Sequence, residues 1–451
     1  MGNYPAARHV QRTPLPRRSM IMFASSSLGS EALAQSRSTW LLYYYAPPSD
    51  AHMRSLLPVG LAGVILFVDG LTGALYNPLV GHLSDRTRSR LGRRLPYIIY
   101  ATPLWALFAL LTFTPPQSAG TAVIAAYMFL TVELYAVFST LSGGPFQALL
   151  PEIAVTSAER LRLVGMRVYF GAAGGAAGLV LGSLLVDHAG FKAMALTMAL
   201  LALALRYLGM AGAWRHSSRT QAPAAMPLRT SLRTTFANRQ FLVFLPSVVL
   251  FQLAVQMILA SLPYYVKAVL DVDKTGTWVA ILTGVAIISM LASLQVSSRL
   301  ARRTSKRHAY RMAMLGAACV FPALAVAGLL PAIPEWLQIA AVMAIAGPAL
   351  SGVYLFPDAI TADIIDDDSN ATGMRREAMY FGAANLVQQT AGSLGPLVLS
   401  GLLILGDTHS DQLGLRLVGP AAGLLVFAGY LIFRHYNLPD DVLIEPVAAV
   451  G

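Results

Sequence analysis

Long apolar runs separated by short polar connections fill almost the whole chain. A bilayer crossing takes roughly 20 residues, so the pattern predicts about twelve membrane helices. They run from about Met20 to Ala46, Leu57 to Leu83, Tyr97 to Thr114, Thr121 to Leu150, Leu163 to Val186 and Phe191 to Trp214, then Gln240 to Leu270, Thr277 to Leu300, Ala309 to Leu330, Glu335 to Ile360, Glu377 to Leu405 and Gly414 to Phe433. The first run is the least apolar. Its Ser27, Glu31, Gln35 and Ser38 share one helical face, and a polar stripe inside a crossing faces water rather than lipid. Trp40-Leu-Leu-Tyr-Tyr-Tyr45 reads as an aromatic anchor at the outer interface. Helix 5 repeats glycines at 171 and 175, and at 174, 178 and 182, which lets a neighbouring backbone approach closely.

Composition agrees with the pattern. Of 451 residues, 56% are hydrophobic and only 12% charged, against about 25% charged in soluble domains. The net charge of +11 is not a nucleic-acid signal, because the arginines cluster in alternate loops as the positive-inside rule requires. Arg86, Arg88, Arg90, Arg93 and Arg94 crowd the connection between helices 2 and 3, with Asp85 as its acid. That loop is therefore cytoplasmic and orients everything after it, with Arg54 the main exception to the pattern. The single cysteine, Cys319, excludes an intrachain disulfide, and no cleavable signal peptide is expected. The longest polar stretch, 215–239, divides the chain into bundles over 21–214 and 240–436. A disordered tail over 1–20 and a second tail over 437–451 are expected on the cytoplasmic side of a multi-pass protein of the cell inner membrane. The basic run Ala301 to Arg307 sits in the second half where the Asp85 loop sits in the first, a weak internal repeat.

Two motifs carry a resemblance. Gly81-x-x-x-Asp85-Arg86 with Gly92-Arg93-Arg94 resembles the loop between helices 2 and 3 of the major facilitator superfamily. The stretch Asn77-Pro78 through Pro96 is similar to its glycoside-pentoside-hexuronide:cation symporter branch. Pro357-Asp358 through Asp366, followed by Thr372-Gly373-Met-Arg375-Arg376-Glu377 and Tyr380-Phe381-Gly382, resembles the same branch between helices 10 and 11. The resemblance implies an all-α fold of twelve membrane helices in two six-helix bundles, and transport by alternating access. It places Glu31 at the helix-1 carboxylate that binds sugar hydroxyls and Arg167 at the helix-5 arginine that supports it. Pro145 to Pro151 matches the helix-4 sugar segment, with Gly143 and Gln147 where the family has an aspartate and a tryptophan. At the sodium site the chain departs, with Gly73 and Asn77 in place of two helix-2 aspartates and Gln389 in place of a helix-11 lysine. No sodium site of the family type is expected, and the coupling ion is expected to be a proton.

Ionisable side chains cost several kcal/mol at membrane depth unless paired or wet. Glu31, Asp69 and Glu133 are therefore candidates for proton coupling, since one buried carboxylate suffices. Glu31, Gln35, Arg167, Gln147, Gln252, Gln256, Asn385 and Gln389 are candidates for substrate binding. Arg37 and Lys267 read as residues that snorkel to an interface. Asp85, Arg86, Arg93, Arg94, Asp363, Asp366, Arg375 and Arg376 read as an inner gate, and Asp363 to Asp368 read as an acidic loop. Arg86 and Arg94 have Glu152, Glu159 and that acidic cluster within reach. The expected protein is a monomeric carrier of a sugar or glycoside, with no cofactor, metal, enzyme activity or nucleic-acid partner. Two rivals are a carrier of an amphipathic solute such as a lysolipid or drug, and a non-transporting membrane protein. For a membrane enzyme, the eight histidines are too scattered to supply a site.

Overall fold

The computed structural model describes residues 15–438 except 52, 88, 90–91, 155, 215–235 and 373–376, and for some helical positions, Asp85, Arg86, Asn385 and Gln389 among them, the backbone alone. The described residues form helices and no strand. We label them by crossing: α1 Arg17–Tyr45, α2 Val59–Arg86, α3 Leu95–Leu111 and α4 Thr121–Ala148, followed by the short turn Leu150–Ile153. Two helices, α5 and α6, follow within Ser157–Trp214 and join at Gly190, whose non-helical φ of 81° turns the chain back. The second half holds α7 Arg239–Leu270, α8 Thr275–Arg303, α9 Lys306–Val320 with a 3-10 turn Phe321–Ala325, α10 Glu335–Thr372, α11 in two pieces (Glu377–Gly392 and Leu394–Leu403), and α12 Leu413–Phe433. Seven of the described helices are long and apolar enough to cross a membrane, and Leu95–Leu111 is a shorter apolar one.

Three expectations are corrected here. Asp363 to Asp368 are not a loop. From Ala359 to Thr372 the sequence has neither glycine nor proline to stop a helix, so α10 runs on to Thr372. The aromatic run Trp40 to Tyr45 does not lie at the lipid interface, since all six residues are buried. Their polar ends find partners inside the protein: Trp40 Nε1 donates to Ser183 at 3.0 Å, Tyr44 to the Phe113 carbonyl at 3.1 Å and Tyr45 to the Thr112 carbonyl at 3.0 Å. Helix 1 also begins at Arg17, earlier than the apolar pattern indicated.

Glycine sets the closest approaches. A Cβ on Gly174 would stand 2.2 Å from the Leu28 carbonyl, and one on Gly178 would stand 2.3 Å from that of Ala32, so α1 and α5 touch backbone to backbone. On the next face of α5, Gly171 and Gly175 leave ordinary contact distances to Glu31 and Gln35.

Candidate transport site

The polar residues of α1 point two ways. Glu31 is exposed although it lies mid-helix, and its nearest charge is Arg167 of α5. Arg167 Nε donates to Ser27 Oγ at 3.3 Å, one turn below Glu31. Tyr354 of α10, 60% exposed, lies across from Glu31 within its electrostatic reach. Glu31 thus has a guanidinium from its own half and a phenol from the other within electrostatic reach.

Away from that space, Arg37 does not snorkel. It crosses to α2, where Nη2 meets Asp69 Oδ2 at 3.1 Å, and its guanidinium lies 4.2 Å above the Tyr135 ring of α4. Glu133 accepts hydroxyls from Thr72 and Tyr76, each at 2.8 Å, and Thr72 Oγ is also 3.1 Å from the Asp69 carbonyl. A third guanidinium, Arg206 of α6, was not among the sequence candidates. It is 6% exposed, donates to Ser30 Oγ at 2.8 Å, and lies 4.7 Å over Phe146 and 5.2 Å over Trp105. The aromatic faces give a buried cation the electrostatic contact that water would otherwise supply.

From the second half, Asp358 stands exposed on α10 one turn beyond Tyr354. Gln252 and Gln256 are half-buried on α7, and Gln147 is exposed at the end of α4. The side chains of Asn385 and Gln389 lie outside the described residues. Lys267 is not at a lipid interface; it is 5% exposed and paired with Asp271 at 3.3 Å.

The sequence model of MFS/sugar transport proteins matches residues 22–414. This chain belongs to that family. Its relatives include an uncharacterized symporter of Synechocystis, 24% identical over 77% of this chain and 79% of that one. An isoprimeverose transporter of Lactiplantibacillus pentosus is 25% identical over 62% of this chain and 58% of that protein. A crystal structure of a mutant of the nucleoside transporter NupG superposes with a TM-score of 0.64 at 16% identity, covering 92% of this chain and all of that one. The protein is therefore an all-α major facilitator of the sugar transport type, a multi-pass membrane transporter.

In a carrier of this family the two halves must seal one side at a time, and here they meet at the end where α1 finishes. Asp187, at the end of α5, accepts from the backbone N–H groups of Gly276 (2.8 Å) and Thr277 (2.5 Å), the first turn of α8. A carboxylate there meets both orphan donors and the positive end of the helix dipole. Gly276 is required by the approach, since a Cβ would stand 2.2 Å from the Ser183 carbonyl. Tyr264 of α7 donates to the Ala46 carbonyl at 2.8 Å and packs edge-on to Tyr43 at 5.1 Å, while Asp50 accepts from His409 N–H at 2.6 Å. On α2, Gly63 and Gly70 press against Ser400 and Ser393 of α11, whereas Gly81 farther in meets nothing.

The expected inner gate is described only in part. Arg93 and Arg94 both pair with Glu152, at 3.2 and 2.8 Å, and Arg94 also reaches the Ala148 carbonyl. Asp363 pairs with Lys306 at 2.6 Å. Each of these pairs lies within one half. Asp366 is half-buried on the extended α10. The side chains of Asp85 and Arg86 fall outside the described residues, as do Arg375 and Arg376 altogether.

Proposed function

We propose that this transporter carries a sugar or glycoside inward together with a proton, by rocking its halves around the space beside Glu31 and Arg167. The observation that carries the reading is the exposure of mid-helix Glu31 with Arg167 and Tyr354 in electrostatic reach. A carboxylate accepts from two adjacent hydroxyls at once, a guanidinium donates to the same polyol, and an aromatic face covers the apolar side of a sugar ring. The family's description as sugar transport and the relative named for isoprimeverose support that substrate class. The Asp69 and Glu133 carboxylates support a titrating coupling site, and the missing carboxylates at positions 73 and 77 support a proton over sodium. A monomer in the cell inner membrane with both termini inside follows from the same reading.

Counterflow in proteoliposomes tests it. Vesicles preloaded with one unlabelled sugar of a panel are diluted into trace labelled sugar, at two pH values, with and without sodium. Transient overshoot with at least one sugar or glycoside, independent of sodium, is expected. Absence of overshoot across the panel, or overshoot only with a lysolipid, overturns the substrate assignment.

A further inference from the structure

Between α1, α2 and α4 the chain encloses two carboxylates and one cation. Asp69 and Glu133 lie within electrostatic reach of each other, and Thr72 Oγ sits between the Asp69 carbonyl and both Glu133 oxygens, at 3.1, 2.9 and 2.8 Å. Tyr76 adds a second hydroxyl on Glu133 at 2.8 Å. Two carboxylates, a threonine hydroxyl and a phenol are hard oxygen donors, the kind that bind a small hard cation. The cation present is the guanidinium of Arg37, 3.1 Å from Asp69 Oδ2 and stacked on Tyr135. Among the described residues no other cation is bonded to either acid. Asp69 Oδ1, meanwhile, is buried and accepts no hydrogen bond.

We propose that Arg37 is a tethered cation, standing where a coupling alkali ion would otherwise balance Asp69 and Glu133. An arginine is charged at every accessible pH and cannot dissociate, so it moves with α1 and closes the pocket to sodium. The formal charges of Asp69, Glu133 and Arg37 leave one negative charge uncompensated. A single proton cancels it, and the orphan Oδ1 of Asp69 is an oxygen on which it can reside. The groups facing this pair are Arg37 from α1, Thr72 and Tyr76 from α2, and Tyr135 from α4. Coupling is then one proton per cycle and blind to sodium. The word coupling rests on the carrier reading above; the occupancy of the pocket by Arg37 does not.

The test uses purified full-length protein in detergent, titrated with NaCl against choline chloride at constant ionic strength and pH, with thermal unfolding and tryptophan fluorescence as readouts. Wild type is expected to show no saturable sodium response. Arg37→Gln, which uncovers two carboxylates, is expected to gain one, with the melting temperature rising on added sodium, and Arg37→Gln combined with Asp69→Asn is expected to lose it again. Arg37→Met keeps the packing over Tyr135 and serves where the glutamine variant does not fold. A saturable sodium response in wild type overturns the proposal on its own. So does a folded Arg37→Gln or Arg37→Met protein that ignores sodium. No sugar enters these titrations, so their failure is separable from failure of the counterflow experiment.

Discussion

At the residue scale, the account turns on a few side chains that lipid would not tolerate. Glu31→Gln keeps the shape but can no longer accept from two hydroxyls as an anion, so a charge-assisted hydrogen bond worth about 1.5–3 kcal/mol is lost. The expected result is a rise in KM for counterflow of roughly ten-fold or more. Arg206→Ala removes a buried guanidinium held by Ser30, Trp105 and Phe146. Its loss is expected to destabilise the first bundle by about 2–4 kcal/mol, read as a lower melting temperature in detergent, with Arg206→Lys recovering little because lysine has no planar face to stack. Glu31, Asp69 and Glu133 were legible in the sequence because each interrupts an apolar run. Arg37 was legible as an oddity but not as the partner of Asp69, because the two lie on different helices. Arg206 was not legible, because its partners Ser30, Trp105 and Phe146 lie on other helices and nothing local marks it as buried.

At the scale of elements, glycine spacing in α5 was a readable packing signal, and it separates two faces. Gly174→Ala places a methyl carbon against the Leu28 backbone at 2.2 Å and is expected to cost about 1–3 kcal/mol through overpacking. Gly171→Ala finds Glu31 Cγ at an ordinary 3.6 Å and leaves stability nearly unchanged. Paired melting curves of the two variants check the contrast. Helix existence followed from the length of the apolar runs, but helix ends did not always. Carboxylates at Asp363 to Asp368 suggested a loop, yet only Gly373 offers the chain a stop. The aromatic run of α1 matched an interfacial belt by composition, while its acceptors, the carbonyls of Thr112 and Phe113, come from a distant part of the sequence that no local pattern reveals.

On the scale of the whole molecule, the halves divide the labour. The first bundle carries Glu31, Arg37, Asp69, Glu133, Arg167 and Arg206, and the second closes against it where Asp187 meets Gly276 and Thr277. That closure has a pH dependence. Burial, with Asp50 and Asp411 nearby, holds the Asp407 carboxyl above the usual carboxylate range. A carboxyl whose folded pKa is raised contributes stability that is present at low pH and lost as pH rises through the folded value. Melting temperature is therefore expected to fall from about pH 4 upward, toward neutrality, and Asp407→Asn is expected to flatten that slope. The central claim, that this family member couples sugar entry to a proton through a pocket it fills with its own arginine, is tested most directly by a pH electrode. In a lightly buffered suspension of proteoliposomes, adding the sugar identified by counterflow should make the external medium more alkaline, equally in sodium and in choline, and Asp69→Asn should abolish the response. Sugar entry without alkalinisation, or alkalinisation that requires sodium, would contradict it.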